Sequence, residues 1–230
     1  MRTPSLPDLS GYCLAFDLDG TLVDTAPDII GTLNGLLADH GAAPFPIEAA
    51  RRFVGRGARS LIERGFKAAE LNIGPEAEDA LLPVFLSRYA ERIDHESHPF
   101  EGVYDTLDLL QAKGAKLAVC TNKPYDLSVL LLTRLNLIDY FGIVVGADSV
   151  ACKKPDPEHL RACTDFFGLP LSQSILIGDS ETDFRTARNA GAPSVLVSFG
   201  YNETPVADFD PDALLHHFSE LPTALARLVK

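Results

Sequence analysis

Residues 12–24 read Tyr12-Cys13-Leu14-Ala15-Phe16-Asp17-Leu18-Asp19-Gly20-Thr21-Leu22-Val23-Asp24, an apolar run that ends in spaced aspartates and a glycine. A short continuous apolar run before a turn residue describes a strand buried on both faces, as in parallel sheets. Alternation along that strand carries Asp17 and Asp19 to the same side at its carboxyl end, so two anions face one solvent volume. Such a pair opposes itself electrostatically unless other groups at the sheet edge balance it.

Downstream of residue 101 the same pattern repeats. Lys116–Thr121, Ile143–Gly146, Ser174–Gly178 and Ser194–Val197 read as buried strands, alternating with helices over 125–135, 157–167 and 181–190. Pro157 stands where a first helical turn tolerates proline, and Gly191 closes a helix. The alternation predicts an α/β fold with a Rossmann-like parallel sheet and helices on both faces. Residues 26–95 break the rhythm: 28–39, 47–54, 59–71 and 76–93 favour helix, with no convincing strand among them. The simplest organisation is a core domain of residues 1–25 and 96–230, with 26–95 inserted as an α-helical cap domain.

Composition narrows the function. The chain has 230 residues, 46% hydrophobic and 23% charged, enough for a substantial core. A formal net charge of -12 leaves no broad Lys/Arg field for nucleic acid, so no such partner is expected and an anionic ligand needs a local positive site. No stretch approaches about 18 apolar residues, and Met1–Ser10 lacks the apolar centre of a signal peptide. No membrane partner is expected, and the expected location is cytoplasmic. Of the four cysteines, none has Cys-x-x-Cys spacing, and Cys13 and Cys120 read as buried thiols. A monomer and a homodimer both fit this composition.

The strand ends carry the chemistry. Asp17 and Asp19 end the first, Thr121-Asn122 the second, Gly178-Asp179-Ser180-Glu181-Thr182-Asp183 the fourth, and Lys153-Lys154-Pro155 follows the third. Singly, each has a local reading: aspartate before glycine forms turns, and Asp179-Ser180 can cap a helix. Jointly they gather carboxylates, a hydroxyl and a lysine at the edge where open parallel sheets bind ligands. Hard oxygen donors without His or Cys suit Mg²⁺.

This constellation resembles the haloacid dehalogenase-like phosphatase superfamily, whose four motifs match Asp17-Leu18-Asp19-Gly20-Thr21, Thr121, Lys154-Pro155 and Gly178-Asp179-Ser180-Glu181-Thr182-Asp183 in order. The resemblance spans nearly the whole chain. It implies a Mg²⁺-dependent phosphomonoester hydrolase with Asp17 as nucleophile, forming an aspartyl-phosphate, and Asp19 as acid and base. It further implies Mg²⁺ on Asp17, the Asp19 main-chain carbonyl and Asp179, and phosphate oxygens held by Thr121, Asn122 and Lys154. Asp183 would orient Lys154 or a metal-bound water.

Within the cap, Val54-Gly55-Arg56-Gly57-Ala58-Arg59 is similar to a loop of bacterial phosphoglycolate phosphatases, as are Thr121-Asn122-Lys123 and Pro99-Phe100-Glu101-Gly102-Val103. That similarity implies hydrolysis of 2-phosphoglycolate to glycolate and phosphate, the carboxylate meeting Arg56 beside Gly57, with Arg59 as the other choice. A phosphomutase of the same fold, a pyrophosphatase and other small-phosphomonoester phosphatases are the alternatives. A non-catalytic binding module would be expected to have lost Asp17. Lys153 reads as a surface charge, and His40, His95, His98, His159, His216 and His217 as mostly exposed.

Overall fold

Residue-by-residue alternation organises the sheet. The computed structural model describes residues 6–55, 57–202 and 204–229. Its principal sheet contains β1 (Cys13–Phe16), β4 (Lys116–Cys120), β5 (Ile143–Val145), β6 (Ser174–Gly178), β7 (Ser194–Val197) and β8 (Ala213–Leu215). These six strands lie in the order β5-β4-β1-β6-β7-β8, every neighbouring pair parallel. Leu14, Phe16, Val119 and Ile177 face one cluster, with α5 (Val103–Ala112), α6 (Tyr125–Arg134) and α9 (Leu221–Leu228). Cys13, Ala15, Cys120 and Leu176 face the other, with α7 (Pro157–Phe166) and α8 (Glu181–Ala190). Both faces are therefore covered, as the unbroken apolar strands require.

Four helices stand between the two strands of a small antiparallel ribbon. The ribbon pairs β2 (Val23–Asp24) with β3 (His98–Pro99). Between them run α1 (Ala26–Asp39), α2 (Ile47–Ala50), α3 (Ala58–Ala68) and α4 (Pro75–Glu91). The expected insertion is helical among its described residues, with Arg51–Phe53 continuing α2 as a 3-10 turn. Asp28 ties the two ends together: its Oδ2 accepts from the Glu96 and Ser97 main-chain N–H groups and the Ser97 hydroxyl, at 2.7–2.9 Å. No described helix is long and apolar enough to cross a membrane.

Strand β8, the ribbon and the carboxyl-terminal helix α9 are additions to the sequence reading. One histidine corrects it. His159 is fully buried on the face of α7 that also presents Leu160 and Cys163, not exposed. Its Nδ1 accepts from the Lys154 main-chain N–H at 3.0 Å, and its Nε2 meets the Val145 carbonyl at 3.1 Å. A neutral imidazole protonated at Nε2 satisfies both contacts, and burial pulls its pKa down to about 4.

Candidate active site

In an open doubly wound sheet the chain reverses its winding direction beside the first strand, and the crevice there receives ligands. Here that reversal lies between β1 and β6, and Asp17 and Asp179 follow those two strands directly. The Asp17 main-chain N–H still donates to the Ile177 carbonyl, at 2.8 Å, so the last rung of pairing fixes where its side chain begins. Asp17 Oδ1 accepts from the Leu18 N–H at 2.8 Å and meets Lys154 Nζ at 3.0 Å. Among the described residues no donor reaches the other oxygen, Oδ2.

Lys154 bridges two carboxylates. Its ammonium lies 2.6 Å from Asp183 Oδ1 as well as 3.0 Å from Asp17, and all three residues are buried. Burial alone would lower the lysine pKa, yet the two anions outweigh it and hold the ammonium firmly protonated. Asp183 Oδ2 accepts from the Ser180 N–H at 3.1 Å and the Ser180 hydroxyl at 2.6 Å, closing a capping box on α8. The capping reading of this motif therefore falls to Ser180 with Asp183, and Asp179 takes no part in the cap's side-chain bonds. Gly178 is required by this approach, because an added methyl would overlap Asp183.

One carboxylate oxygen each from Asp17, Asp179 and Asp183 come within 4.8 Å of one another. Burial pushes the Asp17 carboxyl up to about 6, with Asp183 and Asp19 adding to the shift and Lys154 opposing it. Asp179 is raised well above the usual value, first by burial and then by Asp183 and Asp17. Three clustered anions against one ammonium leave an excess of buried negative charge, the condition that a hard divalent cation relieves. Asp183 spends Oδ1 on the Lys154 ammonium and Oδ2 on Ser180, whereas among the described residues Asp179 accepts only from neutral donors and Asp17 keeps Oδ2 open. Asp179 is itself steered by the Thr21 hydroxyl at 3.2 Å and the Tyr201 N–H at 2.7 Å. This oxygen-only donor set fits Mg²⁺.

Asp19 diverges from Asp17 in its partner. Its carboxylate meets Lys123 Nζ at 2.9 Å, and that ammonium also donates to the Tyr89 hydroxyl of α4 at 2.6 Å. Burial depresses the Lys123 pKa, with Asp19 resisting the shift. Lys123 sits beneath the Tyr89 ring, 4.3 Å from its centroid. Asp17 and Asp19 do line one cavity, of about 50 Å³, together with Thr121, Asn122 and Lys123 from the core and apolar cap residues.

Thr121 Oγ1 accepts from the Lys123 N–H at 3.2 Å, which leaves its own proton for a ligand. Asn122 Nδ2 donates to the Lys154 carbonyl at 3.2 Å, while Asn122 Oδ1 is buried without a partner among the described residues. The side-chain donor of Asn122 thus serves the Lys154 loop. Gly57 lines the cavity at the head of α3 with φ of +89°. Arg56 lies outside the described residues. Arg59 is engaged by Glu78, at 3.6 Å, and by Asp79, both on α4. Lys153 is exposed, as expected.

A second cap-to-core link was not legible in the motifs. Arg51 forms paired 2.9 Å hydrogen bonds with both oxygens of Asp24, and the Tyr201 hydroxyl donates to Asp24 at 2.5 Å. The same hydroxyl accepts from the Ala26 N–H at 3.0 Å. Tyr201 therefore touches the ribbon through its side chain and Asp179 through its backbone.

Comparison with known proteins agrees with this geometry. The profile of the haloacid dehalogenase-like hydrolases matches residues 14–197. A phosphoglycolate phosphatase of Caulobacter vibrioides is 48% identical over 225 residues, covering 98% of this chain and 95% of its own. One from Agrobacterium fabrum is 42% identical, covering 91% of this chain and 90% of its own. The crystal structure of a "predicted phosphoglycolate phosphatase" from Haemophilus somnus superposes with a TM-score of 0.85 at 31% identity, covering 91% of this chain and 95% of that one. With its four motifs gathered at one sheet edge, the chain belongs to the haloacid dehalogenase-like hydrolase family.

Proposed function

We propose that this enzyme hydrolyses 2-phosphoglycolate to glycolate and inorganic phosphate through a phosphoaspartate on Asp17. The observation that carries the reading is the Lys154 ammonium held between Asp17 and Asp183 beside a second buried aspartate, Asp179. The open oxygen of Asp17, Oδ2, forms the bond to phosphorus while the bond from phosphorus to the glycolate oxygen breaks. Asp19 delivers a proton to that departing oxygen. It then accepts one from the water that attacks the phosphoaspartate, which releases phosphate and restores Asp17. Lys154, the Thr121 hydroxyl and the Asn122 main-chain N–H hold the transferring oxygens. Asp17, the Asp19 main-chain carbonyl and Asp179 would hold Mg²⁺, which supplies the charge neutralisation that lets a carboxylate approach a phosphate.

In this reading residues 26–95 act as the cap over a core of 1–25 and 96–230, and Gly57 with Arg56 forms part of the substrate-facing loop. The names of the Caulobacter vibrioides and Agrobacterium fabrum relatives support phosphoglycolate in particular. Four free cysteines, three of them buried, support a cytoplasmic setting, and the net charge of -12 supports a small-molecule partner over nucleic acid.

Phosphate release tests the reading, measured with and without Mg²⁺ on phosphoglycolate, sugar phosphates, nucleotides and pyrophosphate. Metal-dependent release with the highest kcat/KM for phosphoglycolate is expected. Isomerisation of a sugar phosphate without free phosphate, or a clear preference for pyrophosphate, would overturn it.

A further inference from the structure

The phosphate-handling groups account for only part of the cavity lining. Its apolar walls are Ile29, Leu61, Phe85 and Leu86 from the cap helices and Leu127 from the core. Among the described lining residues Lys123 is the one cation. Its side chain is 3% exposed, and its ammonium reaches both Asp19 oxygens, at 2.9 and 3.3 Å, and the Tyr89 hydroxyl, at 2.6 Å, so Asp19 is its one ion-pair partner among the described residues. A buried ammonium is costly to desolvate and gains from a further anion wherever one can reach it.

Chemistry identifies that anion. Asp19 serves the leaving oxygen, and in phosphoglycolate a single methylene separates that oxygen from a carboxylate. A group so close to the leaving oxygen falls beside whatever Asp19 touches, and Asp19 touches Lys123 at 2.9 Å. The other described cations nearby are placed differently: Arg59 is engaged by Glu78 and Asp79, and Lys153 is exposed, with its ammonium beside Gly57 at the head of α3. We propose that Lys123 is the specificity-determining residue, its ammonium between Asp19 and Tyr89 receiving the carboxylate of the substrate's leaving group. Tyr89 belongs to cap helix α4, so the same ammonium joins the selected anion to the cap, and the apolar walls strengthen the ion pair by excluding water.

This inference rests on the phosphoglycolate reading, and the experiment separates the two. The measured quantity is the ratio of kcat/KM for phosphoglycolate to that for ethyl phosphate, whose leaving group has the same length and no charge. Damage to Asp19 or to folding affects both substrates, so it cancels in the ratio. Lys123→Met should lower the ratio roughly 10- to 100-fold, the worth of one charge-assisted hydrogen bond. Lys123→Gln, which keeps a polar head, should lower it in the same direction and serves if the first variant does not fold. Arg56→Ala and Lys153→Ala should change it less than either. An unchanged ratio in the Lys123 variants, or a larger fall in Arg56→Ala or Lys153→Ala, overturns the assignment. A native enzyme that does not favour phosphoglycolate over ethyl phosphate instead overturns the phosphoglycolate reading itself.

Discussion

The Lys154 ammonium stands 3.0 Å from Asp17 Oδ1 with both side chains buried, so each residue fixes the charge of the other. Lys154→Met should lower kcat by at least about 100-fold, since it removes the cation facing the transferring phosphoryl group. It should also destabilise the chelator-treated protein by about 3–5 kcal/mol, the cost of breaking a buried pair. Steady-state kinetics and urea unfolding read the two effects separately. A variant with native kcat would remove Lys154 from the chemistry.

Asp17 and Asp19 occupy one cavity with unlike partners, and their variants should fail differently. Asp17→Asn should abolish phosphate release. Asp19→Asn should slow it and let acid-stable phosphoprotein accumulate during turnover, because water then lacks its base. Phosphoprotein trapped on Asp17→Asn, or equal residual rates in both variants, would contradict the division of labour.

Protonation of the carboxylate cluster gives the metal-free protein an unusual pH response. Asp17 is raised from 3.8 to about 6 by burial, so between these values the native state binds more protons than the unfolded chain. The Asp17 contribution to stability therefore falls as pH rises through that window. Asp179 shifts in the same direction, whereas buried His159, lowered to about 4, contributes the opposite slope from about its ordinary value downward, and Asp24, lowered by Arg51 and Tyr201 against the pull of burial, does so only below its own ordinary value. The His159 contribution is common to both metal states, so the comparison isolates the cluster: from pH 7 towards 5 the Tm gained from saturating Mg²⁺ over chelator should shrink, as protons take the place of cation. A gain that stays constant or grows over that range would refute the cluster's assigned charge state.

Gly20 has φ of +85°, and a methyl added there would lie 2.5 Å from Asp179 Oδ2 and 2.9 Å from the Tyr201 ring. Gly20→Ala should cost at least about 1–2 kcal/mol through the backbone alone. Because the displaced group is Asp179, Mg²⁺ affinity measured by calorimetry should fall too. Native affinity in a destabilised Gly20→Ala protein would detach Asp179 from the metal.

Arg51, Asp24 and Tyr201 bind the cap to the ribbon and, through Tyr201, to Asp179. Arg51→Ala should lower stability by about 1–3 kcal/mol, since it strands Asp24 beside the Tyr201 hydroxyl. If the link also positions the cap, KM for phosphoglycolate should rise more than kcat falls. A change in kcat alone would assign the network to the chemistry instead.

What the sequence disclosed follows from how local its determinants are. Strands with continuous apolar runs, such as Ser174–Gly178, declare burial on both faces, and the motif residues sit within a few positions of their strand ends. Strand β8, three residues after an irregular stretch, has no such pattern. His159 is polar in a helix that also buries Leu160, Cys163 and Thr164, and its two partners come from a loop and a strand. Lys123 lies in the Thr121-Asn122-Lys123 stretch, which assigns it no role of its own, because its partners are 104 residues away at Asp19 and 34 away at Tyr89. Tyr201 carries no motif, and its hydrogen bonds reach Asp24, Ala26 and Asp179. Contacts of that range leave no periodicity to read.

The ribbon of Val23–Asp24 with His98–Pro99 also bears on how the chain can change over evolutionary time. Strand β1 must find β4 across the whole of the helical segment, a search whose entropy grows only with the logarithm of the intervening length. Once the ribbon closes, both ends of that segment meet at one point and its length drops out of the search. Doubling the segment would cost the sheet only about 0.6 kcal/mol in closure. Helical units of other sizes can therefore be seated on the same two strands, so lineages are free to exchange the selecting part while inheriting the reacting part unchanged.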